Sequence, residues 1–196
     1  MVIFGFRPSI CSLLKNAIFL DLDGLTPKLL NDLTSQISES RTAPCYLILC
    51  DGQTTTVIEK DLIGAKIRTS NDFIVHTNHD TYFGDEPAQK ESSSILGMET
   101  VVEESAERRA CIQNKWDAMK KRHEKKQTEA VEKGEVVEMK APSVREDRLR
   151  EWVRAFPVMN ECTHFACVMD PKTATIRFLE RGLDDEDDAL SMELSS

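Results

Sequence analysis

The stretch of residues 72–80, Asp-Phe-Ile-Val-His-Thr-Asn-His-Asp, carries the side chains best placed to do chemistry. Phe73, Val75 and Thr77 alternate with the residues between them, which predicts a β-strand that ends in a polar cluster. The amide of Asn78 offers two N–H donors to an oxygen that gains negative charge during acyl transfer, as an oxyanion hole requires. A strand that ends in an Asx-type turn, with no catalytic role, is the alternative interpretation.

The segments around this strand predict the sheet that must hold it. Residues 45–50 are a short apolar run, and the Asp51-Gly52 pair after them is a strong turn signal. The following segments are short and rich in β-branched or alternating side chains. We therefore predict an antiparallel meander with strands at 45–50, 54–60, 65–69 and 73–78. A hairpin over residues 164–179 is predicted to pair with this meander.

Two amphipathic helices are predicted to pack on one side of the meander. Thr26-Pro27 is a good helix start, and apolar side chains recur at helical spacing over residues 27–39. A second helix is predicted over residues 105–120, and a shorter one over 144–156. Arg108 lies near the predicted start of the second helix, where a cation is unfavourable because it opposes the macrodipole. A functional role would explain a cation at this position.

The remaining segments differ in composition from these elements. Apolar patches within residues 2–20 predict core strands, or a short strand and a turn. Residues 81–100 predict a long loop rich in Gly, Pro, Ser and charged side chains. Residues 115–142 predict a charged, solvated insert in a single domain that covers residues 1–182. Residues 183–196 are predicted to form a solvated, disordered acidic tail.

Composition and charge disfavour several classes of protein. With 40% hydrophobic and 30% charged residues, the chain of 196 residues has the composition of a globular protein with one sizeable core. Its net charge of -9 disfavours an unaided nucleic-acid binder, because phosphate neutralisation needs an excess of Lys and Arg. The six cysteines form no CxxC pair and the four histidines lack metal-ligand spacing, so no metal site and no cofactor are predicted.

No targeting or membrane segment is predicted from the sequence. The N-terminus lacks the charged n-region and the apolar h-region of a signal peptide. No run approaches the roughly 18–20 apolar residues that span a bilayer, so membrane contact could only be peripheral. The sequence leaves the compartment of the protein open.

Four motifs occur in an order that resembles a known family. They are Cys45-Tyr-Leu-Ile-Leu-Cys-Asp-Gly, Phe73-Ile-Val-His-Thr-Asn-His-Asp, Glu107-Arg-Arg, and His164-Phe-Ala-Cys-Val-Met-Asp-Pro-Lys-Thr-Ala-Thr-Ile-Arg-Phe. The set resembles the C-terminal part of the acid ceramidase and N-acylethanolamine-hydrolysing acid amidase family. The segment from Arg7 to Asn16 is also similar to part of that family's catalytic chain, so the resemblance covers most of residues 5–182.

The resemblance implies an α+β fold and a hydrolase site. Members of this family are lysosomal or secretory N-terminal nucleophile hydrolases with a four-layer αββα core, so antiparallel sheets with packed helices are expected here as part of that sandwich. The family's nucleophile is a cysteine that self-cleavage exposes, and its α-amino group acts as the base. The resemblance implies that Asn78 is the oxyanion-hole residue and that Arg108 is a catalytic-site arginine. It also implies that His79 binds an N-acyl lipid substrate, such as a ceramide or an N-acylethanolamine.

Departures from the family leave two functions open. His79 stands where a tyrosine is often seen, and the nucleophilic cysteine with its Arg-Asn-x-Asp-type motif is not present. Cys11 looks superficially like a processing site, but the match of the segment around Arg7 places it at an internal apolar position. One hypothesis is a piece of a ceramidase-like amidohydrolase that is inactive alone and needs a missing N-terminal segment or another subunit. The other is a non-catalytic interaction protein that packs on another chain.

Overall fold

The structure, a computed structural model, describes residues 9–20, 27–79, 99–134 and 141–182. Its helices are α1 (Ile10–Leu20), α2 (Pro27–Glu39), α3 (Glu99–Glu132) and α4 (Glu146–Arg154), and its strands are β1 (Cys45–Cys50), β2 (Thr55–Lys60), β3 (Ala65–Ser70), β4 (Phe165–Asp170) and β5 (Thr175–Arg181). This is the α+β class that the sequence predicted, with antiparallel sheets and helices.

The chain divides into two units, which are described separately. The first unit holds the residues up to Asn78 together with residues 170–175. The second unit holds residues 79–169 and those after Thr175. The predicted loop, up to residue 98, and the predicted acidic tail lie outside the described residues.

The first unit is built around the antiparallel sheet β1-β2-β3. Leu33 and Ile37 of α2 pack with Ile58 of β2 in a buried cluster, which confirms the helix at 27–39 and its packing on the sheet. The partly buried side chains around this cluster are Ile10, Leu14, Leu47, Leu49 and Ala65. We call this side of the sheet the apolar face. The opposite side, which carries Tyr46, Glu59 and Arg68, is the polar face.

Helix α1 stands where apolar patches predicted strands within residues 2–20. The hydroxyl of Ser9 accepts a hydrogen bond from the backbone N–H of Ser12 at 3.1 Å, which caps the start of the helix. Ile10 and Leu14 are four residues apart and therefore reach the same core cluster. The prediction was wrong for residues 10–20, because this helical spacing matters more than the local clustering of apolar residues.

The predicted fourth strand of the meander, residues 73–78, does not form. The sheet ends with β3 at Ser70, and residues 73–77 have no regular secondary structure. The Ser70 hydroxyl accepts a hydrogen bond from the N–H of Asp72 at 3.2 Å and donates one to the carbonyl of Phe73 at 3.3 Å. These bonds fix a turn, after which the chain lies against the polar face instead of adding to the sheet.

Helix α3 is longer at both ends than the helix predicted over residues 105–120. It begins within the predicted loop and includes most of the charged segment 115–142. Lys, Glu, Arg and Gln are good helix formers, and pairs such as Lys125 and Glu129 have the i, i+4 spacing that supports a helix. Gly134, with a φ of 74°, follows the helix in the left-handed conformation that commonly ends one. The charged segment is thus largely a continuation of the helix before it.

Helix α4 and the β4-β5 hairpin form a core in the second unit. Met159, Ala166 and Phe178 are buried together. The guanidinium groups of Arg150 and Arg154 lie 5.2 and 4.8 Å from the ring centre of Phe178, within the range of cation–π attraction. The helix predicted over 144–156 and the hairpin are thereby confirmed. The predicted pairing of the hairpin with the meander was wrong, because β4 and β5 form a two-stranded sheet of their own.

Gly182 closes the hairpin at the end of β5. Its N–H donates a hydrogen bond to the carbonyl of His164 at 3.0 Å. A Cβ atom built on Gly182 would lie 1.4 Å from the carbonyl oxygen of Thr163. This distance is far shorter than any contact between atoms that are not bonded. The backbones approach so closely here that only glycine fits.

Candidate functional site

A partly buried cluster of charged and aromatic side chains lies on the polar face of the first sheet. The Nε atom of Arg68 is 3.2 Å from Oε1 of Glu59, and the Glu59 side chain is 4% exposed. The Nδ1 atom of His76 lies 3.9 Å from the same oxygen, and the ring of Tyr46 is 4.7 Å from the His76 ring between centres. Through His76, the segment that sequence reasoning singled out is fixed to the sheet.

The hydrogen bond between Arg68 and His76 fixes the state of the imidazole ring. A guanidinium group can only donate, so an amino group of Arg68 donates to Nδ1 of His76 at 3.0 Å. Nδ1 therefore carries no proton, and the proton of the neutral ring is on Nε2. This arrangement gives His76 a structural role beside the predicted site.

Asn78 lies two residues beyond this anchor and is exposed. An oxyanion-hole donor needs access to the bound molecule, and its position should be fixed in advance of the reaction. Exposure satisfies the first condition, and the nearby anchoring of His76 supports the second. Asn78 ends the first unit and Arg108 belongs to the second, so the approach of these two side chains stays a prediction.

Arg108 is the tenth residue of α3, because that helix begins at Glu99. It is half-buried. The macrodipole acts mainly within the first and last turns of a helix, so the awkward charge that the sequence suggested at this position does not arise. The location of Arg108 near a helix start was therefore wrong, and its role at a site stays a prediction.

His79 makes a buried hydrogen bond within the second unit. Its Nδ1 atom lies 2.8 Å from the hydroxyl oxygen of Ser105 on α3, and the two residues are 4% and 0% exposed. A hydroxyl and an imidazole at this distance resemble a nucleophile and its base. The full burial of Ser105, however, separates its oxygen from any substrate. The pair thus fixes the His79 side chain to α3, and the substrate contact of His79 stays a prediction.

The cysteines are all free thiols in a range of environments. Burial raises the pKa of the Cys45 thiol, although the ammonium group of Lys60 acts in the opposite direction. A thiol with a raised pKa stays protonated and is a poor nucleophile. Cys11 is exposed, but it is the second residue of α1 and its nitrogen is part of a peptide bond. In the sequence as given, the nitrogen of each of these two cysteines is in a peptide bond and cannot act as the free α-amine of the family mechanism.

The second unit contains a cleft of about 850 Å³ that the sequence did not predict. Helix α3 lines one side, and residues 143–145 with α4 line the other. Four of the lining side chains are cationic, and we call the site the basic cleft: Lys115, Arg122, Arg145 and Arg148. The cations themselves are visible in the sequence. They lie in two separate segments, however, which only the tertiary structure brings together.

Within the described residues, no group of three or more His, Cys, Asp or Glu side chains could hold a metal ion. None of the helices in those same ranges combines the length and the hydropathy needed to cross a bilayer. No family model, no curated protein and no solved structure matches this chain.

Proposed function

We propose that this chain is the C-terminal part of a ceramidase-like amidohydrolase, which cleaves the amide bond of N-acyl lipids such as ceramides or N-acylethanolamines. The sequence basis is the order of the four motifs along the chain. The structural observation that carries the proposal is the exposed Asn78 placed two residues after the buried His76. An amide that stabilises a developing negative charge must be accessible and held in place, and this arrangement supports both requirements.

Each site residue has a stated role in the proposed reaction. The N–H groups of the Asn78 amide donate to the substrate carbonyl oxygen as it becomes negatively charged. Arg108 supplies a positive charge to the same site. His79 contacts the substrate through the 4% of its surface that stays exposed beside Ser105. A cysteine beside its own α-amino group, supplied from outside these 196 residues, attacks the carbonyl carbon and gives its thiol proton to that α-amino group. The C–N bond of the amide then breaks, and the amine leaves with this proton while the acyl group stays on the cysteine sulfur. Water then releases the acyl group from the cysteine.

Turnover of a fluorogenic N-acyl amide tests this proposal. We expect the purified 196-residue chain to be inactive, because loss of the nucleophile lowers the rate by about 10⁶-fold in other hydrolases. A chain extended by the sequence encoded upstream of Met1 should be active. In that extended chain, Asn78→Ala should lower kcat by about 10²- to 10³-fold. The control Asn71→Ala changes another exposed asparagine of the same unit and should retain activity.

Three results would contradict the proposal or one of its parts. Turnover by the 196-residue chain that disappears in Cys11→Ala would place the nucleophile within this sequence. Absence of turnover in the extended, folded chain would remove the hydrolase function itself. Equal losses in Asn78→Ala and Asn71→Ala would remove the oxyanion-hole role from Asn78.

The exposed apolar face of the β4-β5 hairpin favours a second function, that of a non-catalytic interaction protein. Ala166 and Phe178 are buried on one face of the hairpin, so strand alternation places Phe165, Met169 and Leu179 on the other. These three side chains are 62%, 65% and 63% exposed. A two-stranded sheet is marginally stable alone, so a further chain packed on this face would stabilise it.

Sedimentation of the full chain over a range of concentrations tests this second function. If the apolar face packs on another copy, the wild-type chain should associate, and Phe165→Lys with Leu179→Lys should abolish the association. Thr173→Lys, in the exposed turn of the same hairpin, should leave it unchanged. Association combined with an inactive extended chain would favour the interaction protein over the hydrolase. A monomer at every concentration would count against packing between copies.

A further inference from the structure

The basic cleft carries more positive than negative charge. On the α4 side, Arg145 pairs with Asp147, and Arg148 lies 3.2 Å from Glu151. On the α3 side, Lys115 and Arg122 add two further cations. These four cations stand against two carboxylates, so the cleft keeps a positive balance that favours an anionic occupant.

The lining of the cleft also has an apolar part. Trp152, which is 6% exposed, lines it together with Ala118, Met119 and Val144. An occupant that offered carboxylates alone would leave this surface in contact with water. The cleft therefore fits a peptide that combines several carboxylates with apolar side chains.

The end of this chain has that combination. Residues 183–196 contain six carboxylates and no lysine or arginine. The acidic run Asp184-Asp-Glu-Asp-Asp is followed by a part with three larger apolar side chains: Leu190, Met192 and Leu194. The charge and the apolar content of this acidic tail are complementary to the basic cleft.

The described residues that precede the tail lie near a wall of the cleft. Strand β5 packs along α4, because Arg150 donates to the carbonyl of Arg177 at 2.9 Å and Arg154 donates to Glu180 at 2.9 Å. The end of β5 therefore lies near the end of α4, and Ala155, the next residue after α4, lines the cleft. Fourteen residues extend to roughly 45–50 Å, whereas a nine-residue helix is about 14 Å long, so the tail can reach every part of the cleft.

We propose that the acidic tail, residues 183–196, docks in the basic cleft of its own chain. Its carboxylates lie against the cations of the cleft, and its apolar side chains lie against Trp152 and Met119. Attachment to β5 gives the tail an effective concentration on the order of 1 mM. Contacts between exposed charges are individually weak and are screened by salt, so the docking is reversible and salt-dependent. The inference is independent of the proposed hydrolase function.

A labelled peptide of residues 183–196 tests the docking by fluorescence anisotropy. The receptor is the full chain with a neutralised tail, in which Asp184, Asp185, Asp187 and Asp188 are changed to Asn and Glu186 to Gln. We expect the peptide to bind this receptor, and to bind the wild-type chain about tenfold more weakly if its Kd is on the order of 0.1 mM, because the wild-type tail already occupies the cleft. Raising the salt concentration to about 1 M should abolish binding.

Charge reversal locates the binding site. In the neutralised receptor, Lys115→Glu with Arg122→Glu should weaken peptide binding by at least about tenfold. The matched control, Lys121→Glu with Lys126→Glu, makes the same change of charge on the same helix outside the cleft lining and should keep binding within about twofold.

Three results would overturn the proposal. The first is the absence of peptide binding to the neutralised receptor. The second is equal binding by the cleft variant and its control, and the third is equal binding by the wild-type and neutralised chains. Inorganic phosphate serves as a competitor: its binding at the cleft in the absence of any peptide binding would assign the cleft to small anions and would also remove the tail from it.

Discussion

The two faces of the β1-β2-β3 sheet are stabilised in different ways. On the apolar face, Leu33 and Ile37 bury Ile58 in a cluster of hydrocarbon side chains. On the polar face, the buried Glu59 and the partly buried Arg68 form an ion pair that His76 joins by a hydrogen bond. Burial of apolar surface stabilises a fold whatever the direction of the contacts, because the hydrophobic effect is non-directional. An ion pair removed from water stabilises the fold only if its partners have good hydrogen-bonding geometry. The stability of the apolar face therefore depends on the volume of its side chains, and that of the polar face depends on particular partners.

Removing volume from the apolar face should have the largest effect on stability. Ile58 is 0% exposed, and changes such as Ile58→Ala at buried sites lower the free energy of unfolding by about 2–5 kcal/mol. Chemical denaturation followed by circular dichroism measures the loss. The control is Ile48→Ala on the polar face, where the side chain is 59% exposed and the expected change is below about 0.5 kcal/mol. Similar losses of unfolding free energy in Ile58→Ala and Ile48→Ala would contradict the proposed difference between the two faces.

Separating the partners of the ion pair should have the next largest effect. Glu59→Gln leaves Arg68 opposite a neutral group in a buried site, and we expect a loss of about 1–3 kcal/mol in the free energy of unfolding. Arg68→Met removes the other partner. The double variant should lose less than the two single losses together, by about 0.5–3 kcal/mol, because the pair is broken only once. Strictly additive losses would show that the pair contributes no coupling.

Removing the anchor of residues 73–79 should have a smaller and more local effect. His76→Leu deletes the acceptor of the Arg68 hydrogen bond and should cost about 1 kcal/mol. Hydrogen exchange read by mass spectrometry should show faster exchange at residues 73–78, while β1 keeps its protection. The control His164→Leu changes an exposed histidine of the second unit and should alter neither region. Unchanged exchange in His76→Leu would mean that His76 does not hold the segment.

The turn that joins β1 to β2 should show the smallest effect, and only at low pH. The N–H groups of Thr54 and Gln53 donate to Oδ1 of Asp51 at 2.7 and 2.9 Å, and these bonds hold the pKa of the Asp51 carboxyl below its usual value. A carboxyl whose pKa is lowered by folding stabilises the protein above about pH 4 and loses this contribution as the pH falls through the folded-state pKa.

Asp51→Asn should therefore reduce the loss of stability between about pH 4 and pH 2. The measurement is the denaturation midpoint as a function of pH. Asp32→Asn, at an exposed position on α2, is the control and should leave the pH profile as in the wild-type chain. A profile that Asp51→Asn does not change would show that the turn makes no pH-dependent contribution.

Sequence patterns predicted the elements in which burial follows a regular period. Helix α2 begins at Pro27 and ends at Glu39, as predicted, because its apolar side chains recur with the helical period and a proline marks its start. Strand β1 also has its predicted bounds, and β2 and β3 differ from theirs by one residue. These elements place apolar side chains on the apolar face of the sheet, where hydrophobicity matters more than the identity of the partner residue.

Patterns failed where burial and backbone pairing differ. Residues 73–75 are apolar and residues 76–78 are polar, and residues 73–77 are all partly buried, but no strand pairs with this backbone. The strand-forming residue types here reflect partly buried side chains and do not show which backbone groups are bonded. For helix α3 the prediction was too short, because the second half of the helix has high helix propensity but no apolar stripe.

The candidate site was only partly predictable for a related reason. The exposure of Asn78 follows from its place in a polar cluster, which the sequence shows. The ion pair behind it joins Glu59 and Arg68, which are brought together by the register of two strands. The basic cleft similarly depends on cations such as Lys115 and Arg148, which are distant in sequence. No local pattern encodes such contacts.

The close approach at Gly182 has a consequence for how selection acts on this gene. A Cβ atom has the same position in every other amino acid, so no choice of rotamer relieves its collision with the carbonyl oxygen of Thr163. Every missense change in this codon should therefore be purged with similar strength, whatever the size or polarity of the new residue. In population sequences, silent changes alone at codon 182 would mark a gene still selected for its fold, and missense alleles at ordinary frequency would mark one that is drifting.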